Sequence, residues 1–220
     1  MNKFFNEDCL KTLDRNLEYD YLFFSPPDYN EMGLEPVKDD DKYFGWLKEI
    51  FSKFNPRKNV VTIVTSNRRY KRKTIAKHFH ITEIMENLGY NLLNEKIWEK
   101  SRKINMFRYN YAVVLCFGKN NFKTKNTKMF KYDTWFHPHH SYKGYTYNMA
   151  QEVAERCIEN YTEEGDVVYD PFMGIGTTAL ASLKLKRTYL GSEINKETYE
   201  LGISKINNYK NNFENNKWVK

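Results

Sequence analysis

The sequence predicts an α/β fold in which helices cover both faces of a mostly parallel sheet. Short apolar or aromatic runs of strand length alternate with longer segments of helical period, which is typical of such folds. The length of 220 residues and the hydrophobic content of 40% suit one packed domain. Ligand sites in this fold class lie beyond the carboxyl ends of the strands.

Five runs rich in β-branched or aromatic residues are the predicted strands. They are residues 19–25 (YDYLFFS), 59–65 (NVVTIVT), 111–117 (YAVVLCF), 166–169 (DVVY) and 188–190. Five segments with apolar residues three and four apart are the predicted helices, at 43–54, 74–88, 149–161, 177–185 and 196–206. Residues 119–148 break this rhythm and are expected to form an inserted surface segment, and residues 207–220 a frayed tail.

Charge and cysteine content restrict the classes of function. The formal charge of +7 suits a polyanionic partner, although the codon bias of an AT-rich genome would also enrich lysine. The three cysteines, Cys9, Cys116 and Cys157, contain no C-x-x-C pair, which argues against a disulfide framework or a thiolate metal site. The first ten residues lack the apolar stretch of a signal peptide, and no long apolar run predicts a membrane span. We therefore expect an intracellular protein, cytoplasmic or nucleoid-associated.

The segment 170–178 (DPFMGIGTT) is the strongest local signal, because it links a predicted strand to a predicted helix. Gly174 and Gly176 can adopt positive φ and let a ligand approach the backbone at the helix N-terminus. Glu193, at the end of the next predicted strand, can accept both hydroxyls of a ribose. Ala179 stands where a dinucleotide motif has its third glycine, and a pyrophosphate would find no basic partner nearby. These residues favour an adenosine-containing ligand without phosphate.

The second signal is the run Ser25-Pro26-Pro27-Asp28-Tyr29 at the end of the first predicted strand. The two prolines remove two amide donors and fix φ twice, which presents backbone carbonyls in a rigid turn. The hydroxyl of Ser25 and the carbonyl of Pro26 could accept the two hydrogens of an exocyclic amine on a nucleobase. A plain Pro-Pro turn between a strand and a loop is the alternative interpretation.

Together, these motifs resemble the S-adenosylmethionine-dependent amino-methyltransferases of DNA, in the circularly permuted order that places the catalytic motif before the cofactor motif. Other segments are similar to that family in the expected order: residues 6–13 (NEDCLKTL), 96–100 (KIWEK) with the following YAVVLCFGK, and 145–158 (YTYNMAQEVAERCI). The resemblance covers most of the chain. It implies the Rossmann-like three-layer α/β sandwich of class I methyltransferases, with a small inserted recognition segment.

The resemblance also implies a division of the chain. Residues 1–118 would form the catalytic half, 119–144 a short target-recognition segment, 145–206 the cofactor-binding half of the same domain, and 207–220 a C-terminal tail. S-adenosylmethionine is the implied cofactor. Its expected binding residues are Asp8, Asn148, Asp170, Pro171, Phe172, Gly174, Gly176, Thr177, Thr178 and Glu193. No metal site is expected, since the histidines of 137–140 (HPHH) have no cysteine or acidic residue at ligand spacing.

The implied reaction is methyl transfer to N4 of a cytosine, because serine before two prolines is more usual for that substrate, whereas Asp or Asn is more usual for N6 of adenine. The expected catalytic residues are Ser25, Pro26, Pro27, Asp28 and Tyr29. Asp28 departs from the aromatic residue that stacks on the base in the family. Tyr29 could take over the stacking, Asp28 could accept an amine hydrogen, or the chain could be a non-catalytic subunit that binds nucleic acid. An RNA or protein amide methyltransferase is a further alternative, which the permuted order argues against.

Duplex DNA with one base flipped out is the implied partner, and basic segments are expected around the cleft. The candidates for nucleic-acid contact are Arg68, Arg69, Lys71, Arg72, Lys73, Arg102, Lys103 and Arg108. For residues 66–77 the alternative is a solvated basic start of a helix. Because the recognition segment is short, a second copy or another subunit is expected to complete the DNA-binding surface. Residues 31–42 are expected to form a mobile loop that orders when base and cofactor bind.

Overall fold

The computed structural model describes residues 2–103, 109–119, 122, 127, 130–138, 142, 143, 145 and 148–215. Its strands are Lys3–Phe5 (β1), Tyr21–Phe24 (β2), Val60–Thr65 (β3), Arg68–Tyr70 (β4), Lys73–Ile75 (β5), Asn91–Glu99 (β6), Tyr111–Gly118 (β7), Thr134–Phe136 (β8), Val167–Asp170 (β9) and Thr188–Ser192 (β10). Its helices are Cys9–Leu13 (α1), Asp40–Ser52 (α2), Lys77–Asn87 (α3), Gln151–Tyr161 (α4), Thr177–Lys184 (α5) and Lys196–Asn215 (α6).

One eight-stranded sheet, in the order β1-β10-β9-β2-β3-β7-β6-β8, organises the chain. Strand β7 is antiparallel to both of its neighbours, and the other neighbouring pairs are parallel. Strands β10, β9, β2, β3 and β6 therefore all end at the same edge of the sheet, which we call the carboxyl edge. The predicted mostly parallel α/β sheet is confirmed.

Apolar layers cover both faces of the sheet, because side chains alternate between faces along each strand. In β2, Leu22 and Phe24 pack in the layer that contains α2 and α3, whereas Tyr21 and Phe23 pack in the layer that contains α4. Helix α5 packs against α4, and α6 packs against α5. This arrangement is the predicted three-layer sandwich. In the described part of the chain, no helix combines the length and the apolar character that a membrane crossing requires.

The five predicted strands are present, but several elements were missed. Strands β1 and β8 were not predicted, and residues 68–75 form a hairpin of β4 and β5 rather than the start of a helix. Strand β8 pairs with β6 and buries Trp135, so part of the predicted surface segment 119–148 belongs to the sheet. Within the predicted recognition segment 119–144, residues 120, 121, 123–126, 128, 129, 139–141 and 144 lie outside the described residues.

Two segments were expected to be loose. The predicted frayed tail was wrong for residues 207–215, while residues 216–220 lie outside the described residues. Helix α6 continues to Asn215, so residues 207–215 are helical rather than frayed, and Tyr209 packs against the apolar cluster that contains Ile206. The predicted mobile loop over 31–42 begins inside a 3-10 helical turn, Tyr29–Met32, and ends inside α2. Between these two elements, the Asp39 carboxylate accepts from the Glu35 backbone N–H and that of Asp40 accepts from the Val37 N–H. That this segment orders when base and cofactor bind stays a prediction.

Candidate active site

The two motifs of the sequence meet at the carboxyl edge of the sheet. Strands β2 and β9 are neighbours, paired in parallel at two positions. Ser25 follows β2 directly, and Asp170 is the last residue of β9. Neighbouring strands lie about 4.8 Å apart, so the sheet itself holds the start of the Ser25-Pro26-Pro27 turn beside the start of the DPFMGIGTT segment.

Asp170 organises the turn between β9 and α5. Its carboxylate accepts hydrogen bonds from the backbone N–H of Phe172, at 2.9 Å, and from the hydroxyl of Thr178. The carbonyl of Pro171 accepts a hydrogen bond from the Ser192 hydroxyl at 3.1 Å, which ties the turn to β10. Burial raises the pKa of Asp170 to about 7. Asp170, Pro171 and Thr178 therefore fix the shape of the turn between β9 and α5.

Two glycines carry the chain from that turn into α5. Gly174 and Gly176 have φ values of +54° and +85°, in the left-handed region that favours glycine. A side chain at Gly176 would also meet Ile206 of α6 at 3.0 Å. Helix α5 begins at Thr177, whose hydroxyl donates to the Asn148 amide oxygen at 2.5 Å. Asn148, one of the predicted cofactor-binding residues, is therefore hydrogen-bonded to the residue that follows the glycine turn.

Glu193 connects β10 to the glycine turn. One carboxylate oxygen accepts from the backbone N–H of Gly174 at 3.1 Å, and the other accepts from that of Asn195 at 2.9 Å. The Asn6 side chain donates to the Glu193 carbonyl at 2.9 Å, which places the segment with Asp8, the N-cap of α1, near this end of β10. Burial raises the pKa of Glu193 above its ordinary value.

The Ser25-Pro26-Pro27 turn, called below the predicted catalytic turn, is held by aromatic packing. Ser25 is exposed and Pro26 is buried, while the hydroxyl of Tyr43 in α2 donates to the Pro27 carbonyl at 2.8 Å. Tyr43 also stacks on Tyr29, with ring centroids 4.2 Å apart. The exposed Ser25 side chain is thus attached to a backbone turn that has little freedom to move.

Asp28 is the centre of an ion-pair cluster. Its two carboxylate oxygens lie 3.1 Å from Lys77 Nζ and 3.1 Å from Arg68 Nη1, and one of them also accepts from the backbone N–H of Tyr29. Lys77 is almost fully buried, with 3% of its side chain exposed. Burial by itself raises the pKa of Asp28, but the Lys77 ammonium and its hydrogen bond hold that pKa below its ordinary value. Asp28 is therefore an ionised partner of a buried lysine.

Tyr29 does not lie where it could stack on a base. Its ring is fully buried against Tyr43, and its hydroxyl donates to Asp40 at 2.7 Å. The possibility that Tyr29 replaces the missing aromatic residue is therefore wrong for this arrangement. The physical reason is that the 3-10 turn capped by Asp28 directs the next side chain into the core.

Glu31 and Tyr145 lie between the two motifs, and sequence reasoning missed both. A Glu31 carboxylate oxygen accepts from the Asp28 backbone N–H at 3.0 Å, which completes a capping box. Burial raises the pKa of Tyr145 to about 12, and the charges of Glu31 and Glu193 add to that shift. A Cβ atom at Gly174 would lie 3.8 Å from the Tyr145 hydroxyl. Tyr145 therefore approaches the glycine turn from the side of Glu31.

A second lysine, Lys100, completes the cationic side of the carboxyl edge. It follows β6, and its Nζ donates to the Ser66 hydroxyl, at the end of β3, at 2.8 Å. Burial, reinforced by repulsion from Lys77, lowers the pKa of Lys100 to about 8, while Asp28 opposes that shift. The edge is thus acidic near Glu193 and basic near Lys100, with the predicted catalytic turn between them.

The predicted nucleic-acid residues are divided between two environments. Arg68 pairs with Asp28 beside the predicted catalytic turn, so only part of its side chain remains accessible. The other described candidates are exposed: Arg69, Lys71, Arg72, Lys73, Arg102 and Lys103. Arg108 lies outside the described residues. Lys77 was counted only as part of a basic run, although its spacing with Ile81 and Met85, four residues apart each, puts it on the buried face of α3.

Comparison with known proteins gives a family and a fold. A family model described as DNA methylase matches residues 19–205. The type II methyltransferase M.MjaI from Methanocaldococcus jannaschii is 29% identical over 162 residues, which cover 59% of this chain and 54% of that protein. The chain thus spans about half the length of this curated relative.

Solved structures confirm the fold. A putative DNA modification methylase from Thermus thermophilus, crystallised with S-adenosyl-L-methionine, superposes with a TM-score of 0.79 at 20% identity, covering 95% of this chain and 94% of that one. The PvuII DNA methyltransferase, described as cytosine-N4-specific, superposes with a TM-score of 0.77 at 16% identity, covering 96% and 91%. At these identities the likeness concerns the class I methyltransferase fold.

Proposed function

The chain belongs to the DNA methylase family, and from that membership we propose that it transfers a methyl group from S-adenosylmethionine to the N4 amine of a cytosine flipped out of duplex DNA. The observation that carries the proposal is the position of the Ser25-Pro26-Pro27 turn next to the glycine turn, on neighbouring parallel strands. A group that accepts amine hydrogens and a site for an adenosine-containing ligand then share one edge of the sheet.

The residues at the ends of β9 and β10 fit the cofactor. Glu193 offers carboxylate oxygens for ribose hydroxyls, and the glycine turn brings a backbone without side chains to the same place. We assign supporting contacts to Asp8, Phe172 and Asn148, which lie around this turn. When bound, S-adenosylmethionine supplies a methyl group on a positively charged sulfur, which makes the methyl carbon electrophilic.

Ser25 and Pro26 are the proposed acceptors for the base. The lone pair of an exocyclic amine is delocalised into the aromatic ring, so the nitrogen becomes nucleophilic only when its hydrogens are held out of that plane. The Ser25 hydroxyl and the Pro26 carbonyl accept those hydrogens, and the rigid turn fixes their direction. Asp28 already accepts hydrogen bonds from Tyr29, Lys77 and Arg68. We therefore assign Asp28 to holding the turn rather than to the amine.

We favour cytosine as the proposed substrate because a serine, Ser25, precedes the two prolines. The fold shared with a cytosine-N4-specific methyltransferase is compatible with this choice. Methyl transfer to N6 of adenine on the same fold is the alternative. A non-catalytic subunit is less favoured, since the ion pairs of Asp28 give its departure from the family pattern a structural explanation.

Exposed cations next to the catalytic turn would bind the DNA backbone. Flipping a base out of the stack costs about a few kcal/mol, which contacts to phosphates must offset. Arg69, Lys73, Arg102 and Lys103 are exposed and follow β3 or β6 on the basic side of the carboxyl edge. We assign these four side chains to phosphate contacts.

The experiment that tests the proposal is mass spectrometry of modified nucleosides. The purified protein is incubated with S-adenosylmethionine and unmethylated genomic DNA, and the DNA is digested to nucleosides. N4-methylcytosine supports the proposal, N6-methyladenine retains methyl transfer but overturns the choice of base, and the absence of both overturns methyl transfer to DNA.

A matched pair of serine variants tests the role of the turn. We expect Ser25→Ala to reduce turnover by roughly 10²–10³-fold, the usual effect of losing one preorganised hydrogen-bond partner, with cofactor affinity unchanged. The control is Ser52→Ala, at the exposed end of α2. Equal turnover in the two variants would exclude Ser25 as an acceptor.

A further inference from the structure

The β4–β5 hairpin carries two adjacent basic residues at its tip. Its strands pair Arg68 with Ile75, Arg69 with Thr74 and Tyr70 with Lys73, and Lys71 and Arg72 form the turn. Both turn residues are exposed. The Lys71 ammonium lies 3.7 Å from the Glu35 carboxylate, in an exposed pair that water or a ligand can replace. The chain therefore carries two positive charges at the end of a short antiparallel ribbon that begins directly after the carboxyl edge.

The backbone of this tip is in an unusual conformation for its residues. Lys71 and Arg72 have φ values of +47° and +48°, so both occupy the left-handed region. Two-residue hairpin turns of this geometry favour Asn-Gly or Gly-Gly, because other side chains are strained there. Retaining two long cationic side chains at such positions reduces stability, and strain of this kind is typical of functional sites.

The hairpin is fixed relative to the catalytic turn. At its base, Arg68 pairs with Asp28 at 3.1 Å. On one side, Tyr70 donates a hydrogen bond to Glu35, and on the other, the Arg69 guanidinium lies 4.6 Å from the ring centre of Tyr109. A ribbon held at its base and along its sides can direct its tip to one place.

The size of the ribbon matches a groove of duplex DNA. A strand rises about 3.3 Å per residue, so three residue pairs carry the tip roughly 10 Å away from Arg68. The major groove is about 8.5 Å deep and admits a two-stranded ribbon. A duplex whose backbone lay at the level of Asp28 and Arg68 would therefore have its base edges within reach of Lys71 and Arg72. Their N–H donors suit the acceptors that guanine presents there.

We propose that the β4–β5 hairpin enters the major groove beside the methylated base and that Lys71 and Arg72 contact base edges there. The inference rests on the proposed function, because it takes duplex DNA as the substrate. It assigns part of the target recognition to residues of the catalytic half, outside the predicted recognition segment 119–144. The ion pair between Arg68 and Asp28 then sets the distance between the bases that are read and the base that is modified.

The first test separates DNA contact from folding. In Lys71→Asn/Arg72→Gly the turn receives the sequence that its backbone conformation favours, so we expect a melting temperature at or above that of the unmodified protein. The probe is an unmethylated duplex that contains the sequence the protein methylates. Its affinity, measured by fluorescence anisotropy, should fall at least about tenfold, the effect of losing one good base contact. The control Lys186→Ala removes an exposed lysine that precedes β10 at the opposite edge of the sheet and should leave affinity within about twofold.

The second test locates the tip on DNA. The native cysteines are all buried, so Arg72→Cys provides one exposed thiol to which an iron chelate that cleaves DNA can be attached. Cleavage confined to a few base pairs beside the methylated base supports the proposal. Cleavage spread along the duplex, or no more than from a chelate at Lys186→Cys, overturns it, as does unchanged affinity in the first test. Both tests measure binding to DNA. Failure of the proposed function is a separate outcome, because the Lys186→Ala control would then produce no methylated DNA.

Discussion

Removing the carboxylate of Asp28 is expected to destabilise the fold, chiefly through Lys77. Only 3% of the Lys77 side chain is exposed, and its Nζ lies 3.1 Å from a carboxylate oxygen of Asp28. Burial already lowers the pKa of Lys77, and Asp28 opposes that shift. In Asp28→Ala the buried lysine must therefore keep an unpaired charge or release its proton, and breaking a buried ion pair in this way costs roughly 3–5 kcal/mol. We expect about 3 kcal/mol, because Asp28 itself is 27% exposed and water can replace part of the interaction. The partly exposed Arg68 contributes at most about 1 kcal/mol.

The assay is a thermal double-mutant cycle. For a chain of this size, 1 kcal/mol shifts the melting temperature by roughly 2–4 °C, so Asp28→Ala should melt roughly 6–12 °C lower. Adding Lys77→Met removes the buried lysine that has lost its partner, and the double variant should recover most of the decrease in melting temperature. Asp14→Ala is the control, since it breaks only an exposed pair with Lys53 and should shift melting by less than roughly 2 °C. An unchanged melting temperature in Asp28→Ala, or a double variant that melts as low as the single one, would refute the reasoning.

Three further outcomes are expected. Glu193→Gln should weaken S-adenosylmethionine binding about tenfold or more in calorimetry, because ribose hydroxyls lose a charged acceptor; equal affinity would contradict the cofactor assignment. Gly191→Ala should lower the free energy of unfolding by roughly 2 kcal/mol, because its Cβ would lie 2.8 Å from the Asp170 carbonyl oxygen, whereas the control Gly45→Ala has open space and should not. Lys100→Met should be more stable than the unmodified protein at pH 7, and urea unfolding should show this advantage shrinking above pH 8. The pKa of Lys100, about 8, lies below the ordinary 10.5, so the native state releases this proton first and gains stability as pH rises from about 8 to 10.5; an advantage that does not change with pH would contradict this.

The strands and the glycine turn were predictable from the sequence for physical reasons. Strands β2, β3 and β7 are buried on both faces of the sheet, so each is a continuous run of apolar or β-branched residues. The DPFMGIGTT segment combines a strand, two glycines and a helix start, and the left-handed conformations of Gly174 and Gly176 require the residue that stands there. Local chemistry and tertiary structure agree in these elements.

The β4–β5 hairpin could not be predicted, because its turn has no Asn-Gly or Asp-Gly pair. Its strands are short, and partners such as Tyr109 and Glu35 lie outside the segment. The pattern of strongly basic residues therefore suggested the start of a helix. Tertiary contacts, rather than local propensity, determine the structure here.

Two missed features did leave a signal. Asp28-Tyr29-Asn30-Glu31 has the spacing of a capping box, which predicts a helical turn directly after the prolines rather than a loop. Tyr209 follows Ile206 by three residues and extends the apolar stripe of α6 into the segment that was expected to fray. In both cases the overall composition, rich in acidic residues or in asparagine, concealed the spacing.

The parallel pairing of β2 with β9 bears on how this protein could diversify. The Ser25-Pro26-Pro27 turn and the glycine turn begin at the ends of two hydrogen-bonded strands, so their separation is set by the backbone pairing and not by any side-chain rotamer. Loops and hairpins around the carboxyl edge could therefore be exchanged or lengthened without changing the separation of the two turns. A core substitution that shifted the register of β2 by one residue would have the opposite effect, leaving each site chemically intact but no longer opposite the other.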